Sequence, residues 1–456
     1  MVFTGVAQAQ SLHPQTQALI DAWLDSEQAY HRLPSMAASL VKGDALLFAK
    51  GYGSVSGEPG GLPVTPDTVF SICSVSKLFT AIAVMQQVEQ GRLALDDPLA
   101  KHLPEFKLAS PDPLAGPVTL RGVMMHAAGL PRETVNDIWT GPDYPFPTRD
   151  EMLAGLARQS LYMGPLQRYQ YSNLGIALLG EVVARVSGQP YERYVMERVV
   201  RPMGLTRTSL QLPFAKQGSE MAVGHTMVRR DGTRAKIGAF ELRGLEAAAG
   251  FGSTVADLAR LSRWQNRVLA GTDRTGVLST ASLREMTRIQ WVDPDGKASW
   301  GLGFAVTRAG SDLQVSHGGN CPGYRTSYTT LPQKELGAAV ALGSLDDPGG
   351  RARQLLALAQ KQPAAGQVDT AVAGRYLRDP GHQEHIVLPW GADLVLLELP
   401  TPSPADSMTL LRAVGPDRFR VVRDDKSLGE DVQFLRDATG KVDAMRIWGV
   451  VRRRQP

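Results

Sequence analysis

Cysteine is nearly absent from this chain: Cys73 and Cys321 are the only two in 456 residues. That excludes a disulfide framework as the support of the fold, and no zinc-type Cys/His spacing occurs. The plain reading of the pair is two small buried hydrophobes. A disulfide between them stays open, because sequence alone does not fix cysteine geometry. An excess of charge is missing too. The net charge is +4 and no dense Lys/Arg block dominates, which argues against nucleic acid as a partner. The densest basic stretch, Arg229, Arg230, Arg234 and Lys236, surrounds the turn dipeptide Asp231-Gly232 and reads as a solvated hairpin. No uncharged apolar run reaches the ~18 residues of a membrane helix, so no membrane span is expected. There is no fixed-period repeat and no low-complexity tract.

The start of the chain is ambiguous. Ala7-Gln8-Ala9 after Val2–Val6 resembles a signal-peptide cleavage site, but the first Lys or Arg is Arg32, so the charged leader region is missing. Residues 1–15 are read as a residual signal segment or a disordered start. A periplasmic or secreted location is the expectation, with the cytoplasm as the alternative.

What is present looks globular, with 43% hydrophobic and 21% charged residues. From residue 16 to 360 helical and strand-like patterns mix. Thr16–Ser26 reads as a short helix. Ala37–Val41 and Ala45–Tyr52 read as a hairpin across Lys42-Gly43-Asp44. A helix is expected from Ser74 to Gly91, and another over Asn173–Ser187, stopped by Gly188. Thr254–Asp257 resembles a capping box for a helix running to Leu269. Gly301–Thr307, Leu313–Ser316, Tyr324–Leu331 and Gly337–Leu342 follow as antiparallel strands, then a helix over Arg351–Gln360. The fold class expected is α+β: an antiparallel sheet flanked by helices, plus an all-helical region. After a linker at 361–370 the pattern over 371–456 turns all-β. Seven short strands between Gly374 and Trp448 suggest a small barrel or sandwich. His382, Glu384 and His385 raise the question of a metal, but surface histidines are the expected reading.

Three motifs carry chemistry. Ser74-Val75-Ser76-Lys77 puts a serine and a lysine one helical turn apart. A serine hydroxyl needs a base to take its proton, and a lysine serves only if burial or nearby positive charge lowers its pKa. Leu78 to Met85 is apolar nearly all round, so the helix is buried and its lysine needs a reason. The bland alternative is an N-cap serine with a snorkelling lysine. Tyr171-Ser172-Asn173 precedes the second long helix. Its serine or asparagine could simply cap that helix and its tyrosine could be a core aromatic. The functional version has Tyr171 titrating low beside Lys77 and shuttling protons, with Asn173 positioning the lysine and the substrate. His317-Gly318-Gly319 follows a strand. It is either a turn or an edge strand on which substrate lies, with the backbone N–H of Asn320 and that of Ser74 forming an oxyanion hole.

Together the motifs resemble the penicillin-recognising serine hydrolases, in the class C β-lactamase-like branch that includes esterases and D-aminopeptidases. Phe70–Thr80, Met125-His-Ala-Ala-Gly-Leu-Pro131, Tyr171–Gly188, Pro202–Leu205, Gly250–Thr254 and His317–Gly323 look like its recurring blocks. The likeness covers roughly residues 20–360, and the tail resembles a lipocalin-like domain. The resemblance implies a β-lactamase/transpeptidase-like fold, Ser74 as nucleophile, Lys77 and Tyr171 as general base and acid, and Asn173, His317, Gly318, Gly319 and Asn320 against the substrate. It implies no metal and no cofactor. The partner expected is a small ester, amide or peptide. One departure matters: histidine stands where β-lactamases carry a lysine. An ordinary histidine is mostly neutral at pH 7, which weakens attraction for a substrate carboxylate. The expectation is therefore a small-ester carboxylesterase first, a D-residue or short-peptide peptidase second and a β-lactamase third, with acyl transfer or a stably acylated sensor as further alternatives. The loop Arg132–Thr148, with Trp139, Tyr144 and Phe146, either walls an acyl pocket or packs as a surface loop.

Overall fold

The computed structural model describes residues 11–134, 137–378 and 384–456. Two compact units emerge: Pro34–Ala352, and the segment up to Leu33 together with Arg353–Pro456.

The first unit is built on an eight-stranded antiparallel sheet. Its strands are β1 (Ser35–Lys42), β2 (Ala45–Gly53), β5 (Trp291–Val292), β6 (Ser299–Trp300), β7 (Ala305–Ala309), β8 (Asp312–Cys321), β9 (Tyr324–Leu331) and β10 (Leu336–Leu342). The order β2-β1-β10-β9-β8-β7-β6-β5 places the N-terminal hairpin beside the last strand. Short strands β3 (Phe70–Ser71) and β4 (Gly252–Ser253) form a separate pair. The expected strand at Gly301–Thr307 starts later, at Ala305. Gly301 and Gly303 shape a turn instead, Gly303 with φ +81°.

Helices of this unit are α2 (Lys77–Glu89), α3 (Leu99–His102), α4 (Leu120–Met124), α5 (Arg149–Gly155), α6 (Asn173–Ser187), α7 (Tyr191–Val195), α8 (Glu246–Ala249), α9 (Val255–Leu269) and α10 (Thr280–Thr287). Lys77 to Gln87 are all buried in α2, as its apolar surround requires. It packs on α6 and α8, while α9 lies against β1 and β10. The Thr254 side chain accepts from the Asp257 amide and starts α9 as expected. Gly188 ends α6 with φ +72°. The basic hairpin is only partly solvated: Arg229 and Arg230 are exposed, but Arg234 is largely buried and pairs with Asp346 at 2.7 Å.

In the second unit, α1 (Pro14–Tyr30) extends beyond the expected Thr16–Ser26 and packs against β12 (Glu384–Trp390). The tail is a closed eight-stranded barrel. Its other strands are β11 (Gly374–Leu377), β13 (Asp393–Leu399), β14 (Thr409–Gly415), β15 (Arg418–Val422), β16 (Leu428–Arg436), β17 (Val442–Ile447) and β18 (Val450–Arg454). Alternating residues such as Leu394, Leu396, Phe419, Val432 and Phe434 fill the barrel core. His382 lies outside the described residues. His385 is not a surface residue: it is fully buried and accepts from Arg452 Nε at 3.2 Å. No cluster of three metal-ligating side chains occurs among the described residues. No described helix is long and apolar enough to cross a membrane.

Candidate active site

From Thr68 to Gln87 every residue is buried except Ser74, which is half-exposed. It sits in a 3₁₀ turn over Cys73–Ser76, just before α2. Its side chain caps nothing: the position before α2 is Ser76, whose hydroxyl instead receives the Phe251 amide. The capping explanation for Ser74 is therefore set aside. Cys73 holds φ +50°, an uncommon conformation for a residue with a side chain, and this turns Ser74 towards a cavity of about 490 Å³.

Lys77 is completely buried one turn on. Its Nζ lies 3.1 Å from Ser74 Oγ, 2.7 Å from Asn173 Oδ1 and 2.8 Å from the Ala248 carbonyl. Burial holds the lysine pKa well below its usual value, Arg132 lowers it further, and Glu133 opposes. A neutral amine has two N–H donors and one lone pair. Nζ donates to all three in its charged form; once deprotonated, it keeps Asn173 Oδ1 and the Ala248 carbonyl, which can only accept, on its two donors and turns its lone pair to the Ser74 hydroxyl. That is the hydrogen-bonding state in which lysine can serve as a base.

Asn173 is the first residue of α6 and its amide is used at both ends. Oδ1 accepts from Lys77, and Nδ2 donates to Glu133 Oε1 at 2.7 Å. Ser172, not Asn173, caps the helix, accepting the Gly175 amide at 2.8 Å. The Tyr171 ring lies beneath the Lys77 Nζ, 4.9 Å from it, with the Arg132 guanidinium 5.0 Å away. The expectation that Tyr171 titrates low is corrected. Burial pushes its phenol above the usual value, with a hydrogen bond to Ser74 only partly offsetting this, so it rests protonated. His126 was not singled out as a site residue. It is buried, stacks on Tyr171 at 4.2 Å and accepts the Ser172 amide on Nδ1 at 3.2 Å. Burial and nearby positive charge keep it neutral.

His317-Gly318-Gly319 is a strand, not a turn. The pairing of β7 with β8 ends at Ala305 opposite Ser316, so residues 317–321 pair with β9 alone and keep one edge free. The glycines differ. A Cβ on Gly319 would meet the Ile72 carbonyl oxygen at 2.2 Å, whereas one on Gly318 finds only Thr326 O at 3.9 Å. The strand and the turn carrying Ser74 thus touch backbone to backbone at Gly319. His317 is buried, Nδ1 facing the Gly318 carbonyl at 2.7 Å. Burial and the neighbouring Lys77 lower its pKa to about 3, so it is neutral, as expected from the residue type. Cys73 and Cys321 form a disulfide with Cα atoms 5.6 Å apart, which replaces the reading of two separate hydrophobes. The bond ties the residue before Ser74 to the residue after Asn320.

In the described part of the Arg132–Thr148 loop the aromatic residues pack rather than wall the cavity. Arg132 lines the cavity. Trp139 packs on Phe146 at 4.8 Å, and Phe146 and Tyr144 pack on Phe240. Ser74, Tyr171, His317, Gly318, Gly319 and Asn320 line the same cavity, so the motifs converge. The Beta-lactamase family model matches residues 20–361.

The chain belongs to the beta-lactamase family.

This beta-lactamase-family serine hydrolase is 28% identical over 320 residues to the D-alanyl-D-alanine-carboxypeptidase/endopeptidase AmpH of Escherichia coli K12, covering 67% of this chain and 78% of AmpH. It is 28% identical over 311 residues to Beta-lactamase-like protein 2 of Dictyostelium discoideum, covering 67% of this chain but only 55% of that relative. The chain thus spans about half the length of the Dictyostelium protein. Among solved structures, the octameric penicillin-binding protein homologue from Pyrococcus abyssi matches with TM-score 0.66 and 25% identity, over 95% of this chain and 99% of that one. SurE solved with D-Leu matches at 0.58 and 25%, over 96% and 98%.

Proposed function

We propose that this enzyme hydrolyses short D-residue peptides and related amides through an acyl-enzyme on Ser74, with small esters as secondary substrates. The observation that carries this reading is the pair at Ser74: a fully buried Lys77 with Nζ 3.1 Å from Ser74 Oγ, its pKa held well below the usual value by burial, and Tyr171, whose phenol burial pushes up. Lys77 takes the serine proton as Oγ attacks the carbonyl. The N–H groups of Ser74 and Asn320 hold the oxyanion that forms. Tyr171 supplies the proton that the departing nitrogen requires, and water then releases the acyl group. An alkoxide leaving group depends less on such an acid, so a protonated Tyr171 favours amides and reverses the order expected from sequence. Asn173 orients Lys77 and the substrate amide. His317, Gly318 and Gly319 present the free edge of β8 to the substrate. The names of AmpH and of the SurE complex with D-Leu support the D-residue class.

The test is a side-by-side panel of D-alanyl-D-alanine peptides, D-aminoacyl amides, p-nitrophenyl esters and nitrocefin. The proposal expects turnover of the first two. Hydrolysis of esters alone would return the reading to a carboxylesterase, and nitrocefin alone to a β-lactamase. Stoichiometric labelling without product release would indicate a sensor. An oxidising compartment, periplasmic or extracellular, is proposed from the Cys73–Cys321 disulfide. Cell fractionation tests it.

A further inference from the structure

Asn173 stands between Lys77 and a carboxylate. Its Oδ1 accepts from Lys77 Nζ at 2.7 Å, and its Nδ2 donates to Glu133 Oε1 at 2.7 Å. Asn173 and Lys77 are both buried, so solvent does not decide which end of the amide faces the lysine. The two ends are alike in shape and differ in donating or accepting. Flipped, the amide would aim an N–H at Nζ. That N–H would oppose the N–H donors of a charged lysine. Against a neutral lysine it would take the lone pair that the Ser74 hydroxyl requires. The orientation is therefore decided by what Nδ2 meets on its far side.

An ionised carboxylate only accepts, so it admits one orientation of Asn173. The backbone holds Glu133 in place for this. The Arg132 carbonyl accepts the Asn173 amide at 2.8 Å and the Leu174 amide at 3.2 Å, and the Pro131 carbonyl accepts the Ser172 hydroxyl at 2.6 Å. Gln159 Nε2 donates to the Glu133 carbonyl at 3.3 Å. These bonds tie residues 131–133 to the start of α6, where Asn173 lies. Arg132 balances the charge, its Nε 3.2 Å from Glu133 Oε1. Burial lifts the Glu133 pKa above the ordinary value, and Asn173, Trp139, Arg132 and Lys77 oppose the rise. The effect on the lysine is reciprocal: burial lowers the Lys77 pKa, Glu133 raises it and Arg132 lowers it. The other titratable groups around Lys77 are Tyr171, His126 and His317, while α8 presents the uncharged Ala248 carbonyl. Glu133 does not line the cavity in front of Ser74, so its route to the reacting atoms is Asn173.

We propose that Glu133 is a positioning residue for the Ser74 chemistry: its carboxylate fixes the Asn173 amide with Oδ1 towards Lys77, and so keeps the lysine lone pair directed at the Ser74 hydroxyl. This rests on the reading of Lys77 as the base in an acyl-enzyme reaction. It is independent of whether the substrate is an amide or an ester.

The rate at which a fluorophosphonate labels Ser74, followed across pH, tests it without reference to substrate class. Glu133→Gln keeps the shape but can offer Asn173 either a carbonyl or an amine. Its plateau rate should fall at least about tenfold, the scale of losing a hydrogen bond to a charged group. Its acidic limb should move to lower pH, because Lys77 loses a neighbouring negative charge. Glu133→Asp keeps an acceptor-only group and should stay closer to the native profile on both counts. In an Asn173→Ala background Glu133→Gln should cost no further plateau rate, since no amide is left to orient. Thermal melts show that each variant is folded, and Glu133→Asp takes the place of Glu133→Gln in the cycle if the latter is not. A native plateau in folded Glu133→Gln overturns the proposal, whether or not the limb has moved. So does a lowered plateau with an unmoved limb, or a loss that adds in full to that of Asn173→Ala. Native protein labelled at a residue other than Ser74 overturns the acyl-enzyme reading and this proposal with it, whereas labelling at Ser74 leaves that reading standing when only the Glu133 results fail.

Discussion

Gly319→Ala should disable the enzyme without unfolding it. The added Cβ would stand 2.2 Å from the Ile72 carbonyl oxygen, 3.0 Å from its carbon and 3.2 Å from the Cys73 Cβ. Non-bonded heavy atoms prefer about 3.5–4.0 Å, so β8 and the nucleophile turn must separate by ~1 Å. The obstructing atoms are backbone and cannot swing aside. A displacement of that size at a reacting centre costs ~100-fold. Loss of one oxyanion donor costs ~100- to 1,000-fold, or about 2.7–4 kcal/mol. We therefore expect kcat/KM to fall ~100- to 1,000-fold for any substrate, with overpacking costing about 1–3 kcal/mol of stability. Gly318→Ala is the control, because its Cβ meets only Thr326 O at 3.9 Å. It should stay within about threefold, the scale of ordinary contact changes. Steady-state kinetics on one ester and one peptide, with thermal melts of both variants, make the comparison. Equal activity of the two alanine variants, both folded, would refute the backbone contact as the element that sets the site.

Further predictions follow from the same geometry. Asn173→Asp places a carboxylate against Lys77 Nζ, where Asn173 Oδ1 now lies at 2.7 Å, and faces Glu133 with another negative charge. Lysine should then bind its proton more tightly, moving the acidic limb of the kcat/KM profile to higher pH, and an unmoved limb would count against Lys77 as base. His317 has its folded pKa depressed to about 3, below the unfolded value near 6.5. The unfolded state then binds more protons in that window, so the contribution of His317 to stability is complete above about pH 6.5 and is lost as pH falls towards 3. Urea melts at pH 7.5 and 4.5 should show His317→Gln losing less stability over this step than the native protein. Replacing both half-cystines (Cys73→Ser with Cys321→Ser) should lower kcat more than it raises KM, because the bond joins the neighbours of Ser74 and Asn320. Unchanged kcat in the folded double variant would reduce the disulfide to a stabilising tie.

What the sequence made legible depends on how local each cause is. Ser172, Asn173 and Gly188 marked both ends of α6 because capping and the left-handed turn are decided within a few residues. The serine, lysine, tyrosine and histidine motifs were readable for the same reason, each being a short run. Partners brought by tertiary packing were not. Glu133 and the Ala248 carbonyl have no mark of their own; His126 lay inside a recognised block without an assigned role. Tyr171 was expected to titrate low because its neighbour is a lysine, but its burial, which raises it, is not visible in three letters. The disulfide spans 248 residues and could be settled only by the fold that brings its ends together. The last barrel strand, Val450–Arg454, was missed because its three arginines look like a solvated tail, whereas Arg452 is buried and bonds His385.

On the proposed mechanism Ser74, activated by the buried Lys77, becomes acylated. Peptide mapping by mass spectrometry after treatment with a fluorophosphonate tests it most directly. One adduct per chain is expected, on the peptide carrying Ser74, with labelling and turnover both lost in Ser74→Ala. An adduct on another residue, or full hydrolysis by the Ser74→Ala protein, would contradict it.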